Sequence, residues 1–147
     1  RGQAEAPRLV VVSGSLDLPT GDDGFLGSTV PPLVLTGSAA DPDKVAALEE
    51  RCEVVRSPDE RVQPRWAVDQ LVERGLWRIV CEGGPSLLRD VAAAGLLDEA
   101  DLTFSPMLVG TSSTPDTDVL DDPAQFELAH VLTAEHFIMC RYVRADA

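Results

Sequence analysis

Arg78-Ile79-Val80-Cys81-Glu82-Gly83-Gly84-Pro85-Ser86-Leu87-Leu88 is the stretch whose reading decides the fold. An apolar, β-prone run ends in a carboxylate, two glycines follow, and a helix opens at once on a proline. A strand feeding straight into a helix is the joint of a parallel α/β sheet. Pro85 suits the first helical turn, where its missing N–H would have found no intrahelical partner. The glycines let a ligand approach the backbone where a Cβ would intrude. The N–H groups of Ser86, Leu87 and Leu88 then face outward as an anion site, which the helix dipole strengthens by ~0.3–1 kcal/mol. Ligands of open α/β sheets bind at the carboxyl ends of strands, where this turn lies. The plain alternative is a tight strand-to-helix turn without a ligand, and the residues alone leave the two readings level. The pattern is not G-x-G-x-x-G, and the lysine of a P-loop is missing.

Outward from this joint, the pattern alternates. Residues 77–81 predict a strand, and 66–74 an amphipathic helix that Gly75 stops. Val54-Val55 is a short strand, and Asp41-Pro42 opens a helix reaching Arg51 with a capping acid and a proline at its first position. Leu33-Val34-Leu35-Thr36 and Arg8-Leu9-Val10-Val11-Val12-Ser13 read as strands covered on both faces, with a turn-rich loop over 14–32 between them. On the other side, the helix after Gly84 runs to about Ala94 and stops at Gly95. Leu102-Thr103-Phe104-Ser105 is a strand, and 107–123 a long acidic loop. Residues 126–132 and 136–143 predict two antiparallel strands around Thr133-Ala134-Glu135. The expectation is an α/β fold of three layers: a mostly parallel sheet with right-handed crossovers and an antiparallel C-terminal hairpin at its edge.

The 147 residues fit one domain, long enough to bury roughly two thirds of its unfolded surface. Twelve Lys and Arg against 25 Asp and Glu give a net charge of −13. That excludes nucleic acid, whose affinity comes from cations on phosphates, and an anionic membrane surface. A small-molecule enzyme or a protein partner remains. Cys52, Cys81 and Cys140 form no C-x-x-C pair, so neither a zinc ribbon nor a disulfide framework is expected. They read as buried, reduced thiols of a cytoplasmic protein. No apolar run approaches the ~20 residues of a membrane helix, and no secretory apolar segment is expected at the front.

Few other residues suggest chemistry. Glu82 either caps the following helix or accepts hydrogen bonds from a substrate; beside a phosphate its charge repels, so it faces the non-phosphate part of a ligand. Thr36-Gly37-Ser38 is a second strand-end turn of small polar residues suited to a nucleotide. His130 and His136 read as surface or sheet residues, and Trp66 and Trp77 as core anchors. Ser13-Gly14-Ser15 lacks the elbow and the partner histidine of a nucleophile. Asp116-Thr117-Asp118 and Asp121-Asp122 do not space as a calcium loop. No nucleophile, metal ligand set or acid–base pair emerges. Such a site points to cofactor chemistry, in which the protein positions a reactive group it does not itself supply.

The quoted stretch, followed by Ala94-Gly95-Leu96-Leu97-Asp98-Glu99 and Leu102-Thr103-Phe104-Ser105-Pro106-Met107-Leu108-Val109-Gly110, resembles the reductase domain of bacterial riboflavin biosynthesis and its pyrimidine-reductase-like relatives. The resemblance implies a dihydrofolate-reductase-like fold, NADPH as cofactor, and reduction of the ribose of a 5-amino-6-ribosylaminouracil phosphate to a ribityl chain. It also implies that Glu82 contacts substrate. Gly83, Gly84, Pro85, Ser86, Leu87 and Leu88 correspond to the turn at the NADPH pyrophosphate, Thr36 and Gly37 to a turn at the nucleotide, and Arg8 to an arginine at the substrate phosphate. A homodimer is expected, with the 126–132 and 136–143 strands at its interface. The family's first strand, helix and Gly-rich turn have no counterpart in this chain, so an N-terminal segment or a separate chain is expected to complete the domain. The competing readings are a non-catalytic nucleotide-binding or dimerisation module of the same fold, and a dihydrofolate-type pterin reductase.

Overall fold

The computed structural model describes residues 6–18, 27–108 and 123–145. The first of its two compact units, residues 1–77, is built on a four-residue strand, Leu33–Thr36, in which every residue is buried. This strand, β2, is flanked by β1 (Val10–Val12) and β3 (Glu53–Arg56) in a parallel sheet of order β1-β2-β3. Side chains of a strand alternate between faces, and β2 uses both. Val34 packs with Leu16, Val45, Leu48 and Cys52 on one side, while Leu33 and Leu35 pack with Leu71, Trp66 and Leu76 on the other. Those partners bring helix α1 (Pro42–Glu49) to one face and α2 (Pro64–Glu73) to the other. Three layers therefore form around a strand with no polar face.

The helix boundaries follow local chemistry. Asp41 caps α1 by accepting from the Asp43 N–H at 2.9 Å, with Pro42 at the first position, as expected. Pro64 starts α2 two residues ahead of the sequence expectation because proline is pre-set for that place. Gly75 and Gly95 take φ of +76° and +68°, the left-handed conformation that ends α2 and α3 (Pro85–Ala93).

The second sheet is antiparallel, with β4 (Glu99–Phe104), β5 (Phe126–Ala134) and β6 (Phe137–Arg144) in the order β4-β6-β5. The hairpin closes on Glu135 and His136, both at positive φ (47° and 72°), which matches strand twist in a two-residue turn. It therefore turns slightly later than the sequence pattern places it. An irregularity between Leu128 and His130 shifts the β5 register, leaving Ala129 outside the pairing.

Three expectations are corrected: the strand over 77–81, Trp77 as a core anchor, and Cys81 and Cys140 as buried thiols. Residues 77–81 form no strand: they have no ladder partner, and Trp77 and Val80 are 74% and 82% exposed. A β-prone run becomes a strand only against a neighbour, and among the described residues none pairs with it. Trp77 is for the same reason not a core anchor, whereas Trp66 is packed against the core. The chain divides into two compact units, residues 1–77 and 78–147, each holding one sheet. Cys52 is buried and burial pushes its thiol up, while Cys81 and Cys140 are only partly covered. The acidic loop over 109–122 and residues 19–26 of the first loop lie outside the described residues.

If β2 carries the first unit, Leu35→Ala removes a fully buried side chain facing Leu71. Chemical denaturation should show a loss of about 2–5 kcal/mol.

Candidate functional site

The Glu82 turn lies in the second unit. Gly84 is the N-cap of α3 in extended conformation, and no side chain caps the helix. Glu82 thus does not act as the cap, the bland role open to it in the sequence. Its carboxylate is exposed and has no hydrogen-bond or ion-pair partner among the described residues. A Cβ built on Gly84 would meet nothing within 4 Å, so the backbone there is open to an approaching molecule. Gly83 differs: a Cβ would come within 2.7 Å of Leu87 Cδ2, because the Leu87 side chain folds back over it. The exposed residues Pro85 and Ser86 complete the first turn, and the Leu88 N–H bonds to the Gly84 carbonyl at 3.2 Å. Of the N–H groups expected to face a ligand, those of Ser86 and Leu87 remain uncapped, and that of Leu88 belongs to the helix.

Thr36 and Gly37 lie in the first unit, at the carboxyl end of β2. The Thr36 hydroxyl is buried and finds no hydrogen-bond partner among the described residues. An unmet buried hydroxyl costs about 1–3 kcal/mol. Gly37 is needed for another reason than ligand approach: a Cβ there would overlap the carbonyl oxygen of Glu60. The loop over residues 57–61 lies directly on this glycine, tied by the Ser38 N–H to the Asp59 carbonyl at 2.8 Å and the Ser57 N–H to the Thr36 carbonyl at 2.7 Å. The exposed member of the turn is Ser38.

Arg8 is at the other edge. It precedes β1, and its guanidinium donates to Glu53 at 2.7 Å and to the Pro31 carbonyl at 3.0 Å. Glu53 opens β3 and also accepts from Arg74 at 2.9 Å. The hydrogen bond from Arg8, with that from Arg74, holds the Glu53 carboxyl below the usual glutamate range. Arg8 therefore ties the amino ends of β1 and β3, and the structure does not bring it to Thr36 and Gly37. His130 is exposed on β5 and His136 in the hairpin turn, as the sequence suggests. An open hollow of about 290 Å³ on the second sheet, around Thr103, His130, Met139 and Arg141, contains none of the substrate- or cofactor-binding residues expected from the sequence.

Comparison with known proteins gives the family of this fold. The model of the RibD C-terminal domain matches residues 1–138. The chain belongs to the RibD C-terminal domain family. A 2,5-diamino-6-ribosylamino-4(3H)-pyrimidinone 5′-phosphate reductase of Methanothermobacter thermautotrophicus is 33% identical over 85 residues, 58% of this chain and 39% of that protein. The protein of the same name from Archaeoglobus fulgidus is 26% identical over 114 residues, 78% of this chain and 52% of its own length. The chain thus spans about half or less of the curated relatives it matches. A pyrimidine reductase-like protein of Corynebacterium diphtheriae superposes with a TM-score of 0.76 at 25% identity, over 94% of this chain and 61% of that one. Acinetobacter baumannii RibD shares the fold, with a TM-score of 0.66 at 20% identity over 95% of this chain and 38% of its own. The α/β fold expected from the sequence is that of this RibD C-terminal domain.

The two glycine environments predict opposite outcomes. Gly84→Ala, into open space, should change stability by less than about 1 kcal/mol. Gly37→Ala, into the Glu60 carbonyl, should cost about 1–3 kcal/mol and loosen the 57–61 loop, as read by thermal unfolding.

Proposed function

We propose that this chain is the reductase portion of an enzyme that uses NADPH to reduce the ribose of a ribosylaminopyrimidine 5′-phosphate to a ribityl chain, in riboflavin biosynthesis. The observation that carries the reading is the Glu82-Gly83-Gly84-Pro85 turn, an unpartnered carboxylate ahead of an uncapped helix start with open space at Gly84. The names of the two curated relatives support it. They specify a diaminopyrimidinone, whereas the resemblance in the sequence suggested the aminouracil. The shared class, a ribosylaminopyrimidine phosphate, is the substrate proposed.

The residues present suit a phosphorylated nicotinamide cofactor. The uncapped N–H groups of Ser86 and Leu87 are donors for a phosphate, and open backbone at Gly84 admits it without a clash. When bound, a reduced nicotinamide supplies the hydride. Glu82 accepts hydrogen bonds from amino or hydroxyl groups of the substrate and so fixes the reacting carbon; its charge keeps the substrate phosphate away from that side. Positioning of this kind accounts for large rate effects without an acid–base pair.

The homodimer belongs to the same reading. Register puts Leu102, Phe104, Leu128, Val131 and Ile138 on one face of the second sheet, each about half exposed, and the residues paired among them carry no charge. In a chain of −13 that face is where two copies meet with least repulsion. Sedimentation should give twice the chain mass, and a monomer at all concentrations would contradict it. A cytoplasmic location suits the three free cysteines; no helix of the described residues is long and apolar enough to cross a membrane.

NADPH should raise the melting temperature. With either ribosylaminopyrimidine phosphate as acceptor, Glu82→Gln should lower turnover on the order of a hundredfold while NADPH affinity stays within about threefold. Turnover of a pterin in place of both acceptors would favour the dihydrofolate-type reading. NADPH binding without turnover of any acceptor would favour the non-catalytic module.

A further inference from the structure

A chain of net charge −13 holds an anionic ligand only where local cations outweigh the overall field. Several of its basic side chains are already committed to acids. Arg8 and Arg74 share Glu53, Lys44 holds Asp17, and Arg141 holds Glu99. Arg56 and Arg61 are different. Both are exposed, and among the described residues neither has a carboxylate within ion-pair distance.

Their placement is specific. Arg56 ends β3 and is in register with Thr36, so the two side chains leave the sheet on the same face at its carboxyl edge. Arg56 Nη2 donates to the Ser38 carbonyl at 2.7 Å and the Ala40 carbonyl at 3.4 Å. Those bonds fix the guanidinium over the turn that follows β2, and its remaining N–H groups meet no acceptor among the described residues. Arg61 comes off the same edge: its backbone N lies 3.3 Å from where a Cβ of Gly37 would stand. On the same face as Arg56 is the buried Thr36 hydroxyl, without a hydrogen-bond partner among the described residues. Asp59 and Glu60 lie in the same loop, yet neither carboxylate pairs with either arginine among the described residues. A guanidinium fixed over the turn after β2 and a second exposed arginine on the adjoining loop, neither paired with a carboxylate among the described residues, lie at the sheet edge where α/β ligands bind and suit an anion.

We propose that Arg56 and Arg61 form a subsite for a phosphomonoester carried on a ribose. The assignment rests on the reductase reading and deepens it, because that group occurs both on a phosphorylated nicotinamide dinucleotide and on the proposed substrate. It also moves the phosphate anchor from Arg8, spent on Glu53 at the opposite edge, to arginines with N–H groups to offer. Guanidinium suits the task, since its fork of donors engages phosphate oxygens two at a time.

Calorimetric titration of the chain with NADP+, NAD+ and ribose 5-phosphate tests this. Arg56→Gln and Arg61→Gln should each weaken a phosphate-bearing probe by about tenfold or more, and leave NAD+ within about twofold. Loss confined to NADP+ assigns the subsite to the cofactor, and loss confined to ribose 5-phosphate assigns it to the substrate; either supports the proposal. Arg65→Gln, on the exposed side of α2, controls for net charge, and an equal loss there would overturn the proposal. Arg61→Gln removes no hydrogen bond described in the structure, so it decides the matter even where Arg56→Gln fails to fold. Unchanged NADP+ and ribose 5-phosphate affinity in both variants overturns the subsite and, with NAD+ still bound, leaves the reductase reading standing. No binding of either dinucleotide by the unaltered chain counts against both.

Discussion

Leu33–Thr36 has a strand on each edge, a helix over each face, and no side chain in contact with water. Burial of Leu33, Val34 and Leu35 is worth about 1.5–3 kcal/mol apiece, which no other four-residue stretch of the described chain approaches. The strand's position also dictates what its carboxyl end can present. Thr36 is carried so deep that its hydroxyl has no partner among the described residues, Gly37 must be a glycine to pass under Glu60, and register sets Arg56 beside them. A packing constraint thereby becomes a chemical one.

Much of this was legible in the residues. The run Leu33-Val34-Leu35-Thr36 has no polar alternation, and only a doubly covered strand reads that way. Asp41-Pro42 and the stops at Gly75 and Gly95 announce helix boundaries through local chemistry that needs no tertiary partner. The strand expected over residues 77–81 was not so determined. Its residues are as β-prone as those of β2, but a strand is a relation between segments, and composition cannot say whether a neighbour is present. Trp77 is misjudged for the same reason.

The site was legible to different degrees. Glycines followed by Pro85 mark an uncapped helix start directly, because each residue acts through its own backbone. Gly37 illustrates the opposite case: read in the sequence as part of a turn suited to a nucleotide, it is packed against the protein's own carbonyl. Arg8 and Arg56 show why charge roles escape one-dimensional reading. Both are arginines beside β-strands, and only the position of Glu53 at the start of β3, near one and not the other, separates an ion-pair tether from an available cation. The net charge of −13 disfavours polyanionic partners but does not locate the few places where an anion is welcome.

The central claim is that the turn from Glu82 into α3 receives the nucleotide. Hydrogen–deuterium exchange with and without NADPH addresses it at single-residue scale. The account predicts slowed exchange at Gly84, Ser86 and Leu87 on saturation. NADPH bound with exchange at those three amides unchanged would contradict it.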